Sequence, residues 1–125
     1  HPFNGRLTKF IGHEKLFLEL SDTTGVPLKL ALAQAWKESC WGTNGSSIWG
    51  LKGGSGFQNY DSIESAIKAY YKLMRYGQSG YYWSCIQSKN YDALVERYAP
   101  SFENNHASYM ATLYVVMGWV TSKGL

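Results

Sequence analysis

Glu38 is the residue whose type and surroundings point most directly to chemistry. It lies in residues 28–42, which read LKLALAQAWKESCWG and are apolar on almost every side. Such a run is typical of a helix buried inside a domain, where a carboxyl group is costly unless it is paired or functional. Burial would raise the pKa of Glu38 and keep a proton on it near neutral pH, as a general acid requires. The alternative is that Glu38 ends the helix and points into water.

Other chemistries lack the residues that they need. His13-Glu14 is not followed by the second histidine of a zinc-binding H-E-x-x-H motif. The three histidines and two cysteines are scattered, so we expect neither a metal site nor a cofactor. The glycines at 53, 54 and 56 lack the Gly-Lys-Ser/Thr of a phosphate loop. Cys40 and Cys85 are either bridged or buried free thiols, and two cysteines do not decide between these.

Composition indicates one globular domain. The chain has 125 residues, of which 45% are apolar and 17% charged. The net charge is +3, with Lys and Arg scattered along the chain, so we expect no nucleic-acid partner. No stretch reaches the roughly 18 apolar residues of a membrane span. Five Trp, ten Tyr and five Phe suit a carbohydrate groove, a core or a protein interface equally.

The start of the chain also carries an expectation. It begins at His1, without Met and without a signal peptide. We therefore expect a processed protein, or a single domain over residues 1–125 that was excised from a longer protein.

The elements that would position Glu38 are mostly helices. Periodicity and capping residues predict helices over residues 10–21, 28–41, 62–75, 81–87 and 91–98, and a last helix capped by Asn104 or Asn105 that runs to about residue 120. Residues 42–60 are rich in glycine, and 48–52 could pair with 57–60 as a small hairpin. The expected fold class is mostly α, with about six helices and one small hairpin.

Three segments carry a family resemblance. Residues 33–42 read AQAWKESCWG, residues 47–53 read SIWGLKG, and residues 98–104 read YAPSFEN. In this order they resemble the lysozyme-like peptidoglycan glycosidases. The closest match is the glucosaminidase group of bacteria and phages, glycoside hydrolase family 73, which is related to the lytic transglycosylases. The resemblance covers residues 28–120, and Ser47 stands where the family usually has Asn.

The resemblance implies a lysozyme-like α+β fold, with a cleft between a helical lobe and a β-hairpin lobe. It implies that Glu38 is the general acid, which protonates the glycosidic oxygen of the leaving sugar. It also implies that Tyr98 stands across the cleft, where it positions the N-acetyl group or stabilises developing positive charge. The alternative for Tyr98 is a core tyrosine that closes a helix end.

We also expect five residues to contact the substrate: Gln34, Ser47, Trp49, Gly50 and Asn104. Gln34 lies one turn before the glutamate on the same helix face, or is a buried amide bonded to backbone. Ser47 and Trp49 touch the N-acetyl group or stack on a sugar, unless Trp49 is the hairpin core. Gly50 allows close backbone approach or a strand bend. Asn104 bonds sugar or caps the last helix.

A second catalytic carboxylate is not evident, although most glycosidases use two. Many members of the family carry an additional acidic residue in the hairpin, whereas residues 49–60 contain no Asp or Glu. Asp61 and Glu64 fit a helix capping box. Two one-glutamate routes remain. Either the 2-acetamido group of the substrate attacks its own anomeric carbon, or the C6 hydroxyl of N-acetylmuramic acid attacks, which is the lytic transglycosylase reaction.

The expected function is therefore an endo-β-N-acetylglucosaminidase that cuts the peptidoglycan glycan strand as a monomeric domain. Its substrate implies a location outside the cytoplasm: secreted, periplasmic or in a phage virion. One alternative is a lytic transglycosylase or muramidase that acts on the same strand. Another is a non-catalytic wall-binding or phage-tail module.

Overall fold

The computed structural model describes residues 12–39, 49, 52–53, 56–57, 62–102 and 104–124. Helices make up most of this part of the chain: α1 Glu14–Thr24, α2 Leu28–Ser39, α3 Ile63–Tyr76, α4 Tyr81–Gln87, α5 Tyr91–Tyr98 and α6 His106–Ser122. A short 3-10 helix, Gln78–Gly80, joins α3 to α4. Two strands, β1 Lys52–Gly53 and β2 Gly56–Phe57, pair antiparallel.

The prediction of an α+β fold with a β-hairpin lobe and a cleft between two lobes is wrong. Apart from this pair of two-residue strands, the regular structure of the described residues is helical, so there is no β lobe among them. Among the described residues, strand pairing is confined to Lys52 with Phe57 and Gly53 with Gly56. An isolated pair of strands is marginal even at full length. Glycine weakens a strand because it has no side chain to pack, and residues 42–60 include six glycines, at 42, 45, 50, 53, 54 and 56.

Helix α2 is the centre of the fold. Every residue from 30 to 35 is fully buried, which confirms the buried helix expected from the apolar run. Helix α6 packs along α2 more extensively than any other described pair of elements, and α1 contacts α2 as well. The last turn of α2, with Trp36 and Glu38, is only partly buried. The fold therefore holds α2 firmly and brings its C-terminal turn towards the surface.

The turn between α1 and α2 depends on Gly25. Its φ of 83° is left-handed, and its N–H donates to Ser21 O at 3.0 Å, which ends α1. A Cβ at this position would lie 2.8 Å from the ring of Trp83. The prediction that α1 spans residues 10–21 is wrong at both ends. The helix begins at Glu14 and continues to Thr24, whose hydroxyl donates to Leu20 O at 2.6 Å within the helix.

Side-chain caps fix the starts of three later helices. Ser62 accepts a hydrogen bond from Ser65 N, Asn90 from Ala93 N, and Asn105 from Ser108 N. The predicted bounds of α4 and α5, residues 81–87 and 91–98, are confirmed. The cap of α6 is Asn105.

Two further findings concern membrane spans and cysteines. No helix in the described ranges combines the length and the apolar character needed to cross a bilayer. Cys85 is a buried free thiol. Cys40 lies outside the described residues.

Candidate active site

Glu38 lies on the last turn of α2, where the helix leaves the core, and is half-buried. Burial raises the pKa of its carboxyl group above the ordinary 4.5, because desolvation penalises the charged form. The Tyr109 hydroxyl and the Lys37 ammonium act in the opposite direction and offset part of this effect on the pKa. The carboxyl group therefore keeps its proton to a higher pH than an exposed glutamate does.

Tyr98 reaches the neighbourhood of Glu38 from the C-terminal end of α5. Its hydroxyl donates a hydrogen bond to the backbone carbonyl of Trp49. Burial raises the pKa of Tyr98 well above its ordinary value, and the charges of Tyr109, Tyr70 and Glu38 add to the increase. Tyr98 is therefore a neutral phenol close enough to Glu38 to sense its charge.

Gln34 lies one helical turn before Glu38 and is 0% exposed. Its Oε1 accepts a hydrogen bond from the Tyr70 hydroxyl. Gln34 is a buried amide, as the alternative expected, but its carbonyl partner is a side chain rather than backbone. Its contact with substrate stays a prediction. Its Nε2 is buried and has no hydrogen bond of ordinary geometry to any described residue, and the same is true of Tyr109 Oη.

Trp49 is part of the core and 1% exposed. Its indole N–H donates to Ala31 O at 2.9 Å. Its ring stacks on Tyr70, with centroids 4.8 Å apart and planes 20° apart, and lies 6.1 Å from the ring of Phe17. Both the edge and a face of this ring are thus occupied by protein. The placement matches the core alternative and leaves little surface for a sugar to stack on.

Two predicted substrate contacts, Ser47 and Gly50, lie outside the described residues. Asn104 is exposed, and its side-chain amide donates to Pro100 O at 3.2 Å. Asn104 therefore secures the turn after α5 and does not cap α6.

Two acidic residues, Asp61 and Glu64, are the candidates for a second catalytic carboxylate. Asp61 lies outside the described residues. Glu64 is exposed and pairs with Lys68 at 2.8 Å, and this hydrogen bond lowers the pKa of Glu64. The capping-box interpretation of Glu64 is wrong, because the cap is Ser62 and Glu64 bonds along the helix instead.

Sequence reasoning missed two buried tyrosines that complete the site, Tyr70 and Tyr109. Tyr70 comes from α3 and binds Gln34. Tyr109 comes from α6. Burial raises its pKa well above the ordinary value, Glu38 adds to this increase, and Gln34 opposes it. The only sequence signal was the count of ten tyrosines. Which of them face α2 depends on how distant helices pack, and no local pattern records that.

Within the described ranges, no three His, Cys, Asp or Glu side chains lie close enough together to hold a metal ion. The arrangement consists of one half-buried carboxyl group, three neutral phenols and a buried amide. Such groups can donate a proton and position a neutral polar substrate. No protein-family model, curated protein or solved structure was found to match this chain.

Proposed function

We propose that this chain cleaves the glycan strand of bacterial peptidoglycan as an endo-β-N-acetylglucosaminidase, with Glu38 as general acid and then general base. The observation that carries the proposal is the half-buried carboxyl group at the end of a buried helix, with its pKa raised by desolvation. Groups with shifted pKa values cluster at functional sites. The resemblance of residues 33–42, 47–53 and 98–104 to the wall glycosidases supplies the substrate class.

The raised pKa suits the first half of the reaction. Protonated Glu38 donates its proton to the glycosidic oxygen as the bond to the anomeric carbon breaks. The 2-acetamido oxygen of the same sugar attacks that carbon and forms an oxazolinium ion, which keeps its N–H proton, so no second carboxylate is needed as the nucleophile. Residues 49–60 contain no acidic side chain that could serve as one. Ionised Glu38 then takes a proton from the water that opens the ring, which restores the starting state.

Tyr98 would assist this reaction without exchanging a proton. Its pKa lies well above the ordinary value, so it stays neutral. Its hydrogen is donated to the Trp49 carbonyl, which leaves the oxygen lone pairs as acceptors. A neutral oxygen acceptor can stabilise positive charge that develops at the anomeric carbon, or accept a hydrogen bond from the N–H of the acetamido group. The substrate would place the protein outside the cytoplasm.

The experiment is a digest of purified peptidoglycan by wild type and by Glu38→Gln. General acid–base catalysis contributes about 10²–10⁴-fold, so we expect the release of reducing ends to fall by at least about 100-fold. The matched control is Glu64→Gln, the same substitution at an exposed glutamate paired with Lys68, which should cleave like wild type. A Glu38→Gln variant with undiminished cleavage would remove Glu38 from the mechanism.

Mass spectrometry of the same digest identifies the bond that is cut. A reducing end on N-acetylglucosamine is the expected product. A 1,6-anhydro-muramic end would assign the lytic transglycosylase reaction, and a reducing end on N-acetylmuramic acid a muramidase. Binding to the wall without any product would identify a non-catalytic module and refute the enzymatic proposal.

A further inference from the structure

We propose that Tyr109 is a positioning residue, whose hydroxyl, braced by the amide of Gln34, holds the Glu38 carboxyl group in place. The role of Tyr109 in catalysis depends on the proposed function. The contact between Tyr109 and Glu38 does not, because it joins side chains of two helices that pack together.

The first observation is a pair of buried polar atoms. Gln34 Nε2 and Tyr109 Oη are both buried, and neither makes a hydrogen bond of ordinary length and angle within the described ranges. Gln34 lies on α2 and Tyr109 on α6, the two helices that pack together most extensively. Buried polar groups nearly always have partners. Two such atoms on facing helices therefore call for a functional explanation.

The second observation fixes the direction of the hydrogen bonds. The Tyr70 hydroxyl donates to Gln34 Oε1, so the amide of Gln34 presents its N–H groups on its other side. Tyr70 itself is held by stacking on Trp49. An N–H of Gln34 facing the Tyr109 oxygen leaves the hydrogen of that hydroxyl free to donate. The side chain that acts on Tyr109 as an acceptor is the carboxylate of Glu38, which raises the pKa of Tyr109, whereas Gln34 lowers that pKa.

The third observation separates Tyr109 from the other groups around Glu38. Three charged or titratable neighbours act on this carboxyl group: Lys37 from α2, Tyr98 from α5 and Tyr109 from α6. The Tyr98 hydrogen is already donated to the Trp49 carbonyl. Lys37 is exposed, and its ammonium lies 5.7 Å from the centre of the Tyr109 ring. Tyr109 is thus the buried donor whose hydrogen remains for Glu38.

The Tyr109 hydroxyl makes no hydrogen bond of ordinary length and angle to a described residue, which is compatible with this role. Hydrogen bonds to catalytic groups are often long or poorly aligned without substrate and tighten when the substrate binds. A hydroxyl that donates to ionised Glu38 favours the charged form and opposes the effect of burial on its pKa. Burial raises the pKa of Glu38, so that it holds a proton to donate. Tyr109 would limit this increase, so that Glu38 can also release the proton.

The test is Tyr109→Phe, which removes the hydroxyl and keeps the ring. The readout is the titration of the Glu38 carboxyl carbon by NMR of protein labelled with ¹³C-glutamate. We expect the titration midpoint of Glu38 to move to higher pH. The alkaline limb of the pH profile of peptidoglycan cleavage should move in the same direction. A hydrogen bond to a charged group has the strength for an effect of about 10- to 100-fold, so kcat should fall by that factor while KM changes little.

The matched control is Tyr71→Phe. Tyr71 is also a buried tyrosine, but its hydroxyl pairs with Ser21 on α1. This variant should leave both the Glu38 titration and the pH profile unchanged. Tyr109→Phe should fold, because it keeps the buried ring that packs in the core. Thermal unfolding checks this directly.

A second variant, Gln34→Met, keeps the side-chain length and removes the brace. It should move the Glu38 midpoint in the same direction by a smaller amount. An unchanged Glu38 midpoint in both Tyr109→Phe and Gln34→Met would overturn the positioning role. A shifted midpoint in a protein that cuts no peptidoglycan would confirm the contact and refute the proposed function alone.

Discussion

At the residue scale, the environment of Glu38 links its protonation to folding. Its pKa is raised in the folded protein, so the folded state binds this proton more tightly than the unfolded state does. Stability must then fall as pH rises from the ordinary pKa of 4.5 through the raised value. Below that window both states are protonated, and the penalty for burying a charge vanishes.

Glu38→Gln removes this titration and keeps the shape of the side chain. We expect the variant to gain stability relative to wild type as the pH is raised from about 4 to about 7.5, because only wild type must bury a charge there. Urea unfolding of both proteins at the two pH values measures the difference. A difference between the proteins that stays constant with pH would mean that the carboxyl group is solvated as freely in the folded protein as in the unfolded chain.

The residues of the site differ in how far sequence could predict them. Glu38 could be singled out because a carboxylate within an apolar helical run is unusual wherever it occurs. Gln34 followed from helical spacing, one turn before it. Tyr109 could not be found in this way, because it meets Glu38 only through the packing of α6 on α2. The motif that contains Tyr98 pointed to that residue, yet its bond to the Trp49 carbonyl has no sequence signal.

At the scale of elements, two adjacent asparagines before α6 have different roles. Asn105 accepts from Ser108 N at 3.0 Å, whereas Asn104 donates to Pro100 O in the preceding turn. Asn105→Ala should lower the free energy of unfolding by about 1 kcal/mol, the usual effect of removing a cap. Asn104→Ala is the matched control and should cost less, because its exposed hydrogen bond exchanges with water. Urea unfolding measures both, and equal losses would contradict the assignment of the cap.

The accuracy of the predicted helices follows from how they are bounded. Helices α4 and α5 match their predicted bounds because local signals bound them: glycine before α4, Asn90 before α5 and proline soon after α5. Helix α1 does not. It ends at Thr24, three residues beyond the predicted end at Ser21, because the left-handed Gly25 follows. Periodicity alone did not show that the helix continues through the threonines up to that glycine.

At the scale of the whole molecule, Trp49 ties distant parts of the chain together. Its indole contacts α2 through Ala31, α3 through Tyr70 and α1 through Phe17, and its carbonyl receives Tyr98 of α5. Trp49→Phe loses a buried hydrogen bond and part of the packing. We therefore expect the free energy of unfolding to fall by about 1–3 kcal/mol in a single transition.

The control for Trp49→Phe is Trp119→Phe, at a half-buried tryptophan near the end of α6. Less of the Trp119 ring is removed from water, so its replacement should cost less. Denaturant unfolding followed by circular dichroism compares the two variants. A loss at Trp119 as large as the loss at Trp49 would argue against Trp49 as a central contact.

The fold class shows where sequence reasoning reached its limit. The helical spacing of apolar residues, together with the capping residues, predicted helices, and helices make up most of the described residues. The α+β class came from family resemblance, and the part of the chain that the structure describes holds one pair of two-residue strands rather than a β lobe. Which helices pack together was not predictable either, since α2 and α6 meet from opposite ends of the chain.

The enclosure of α2 has a consequence for protein engineering. Neighbouring helices bury α2 up to residue 35. A side chain at position 38 therefore projects from a helix that is held in place. A cysteine or an unnatural amino acid introduced at position 38 would therefore have a defined position and orientation. The scaffold therefore offers an anchoring point for new reactivity that is independent of the chemistry for which it was selected.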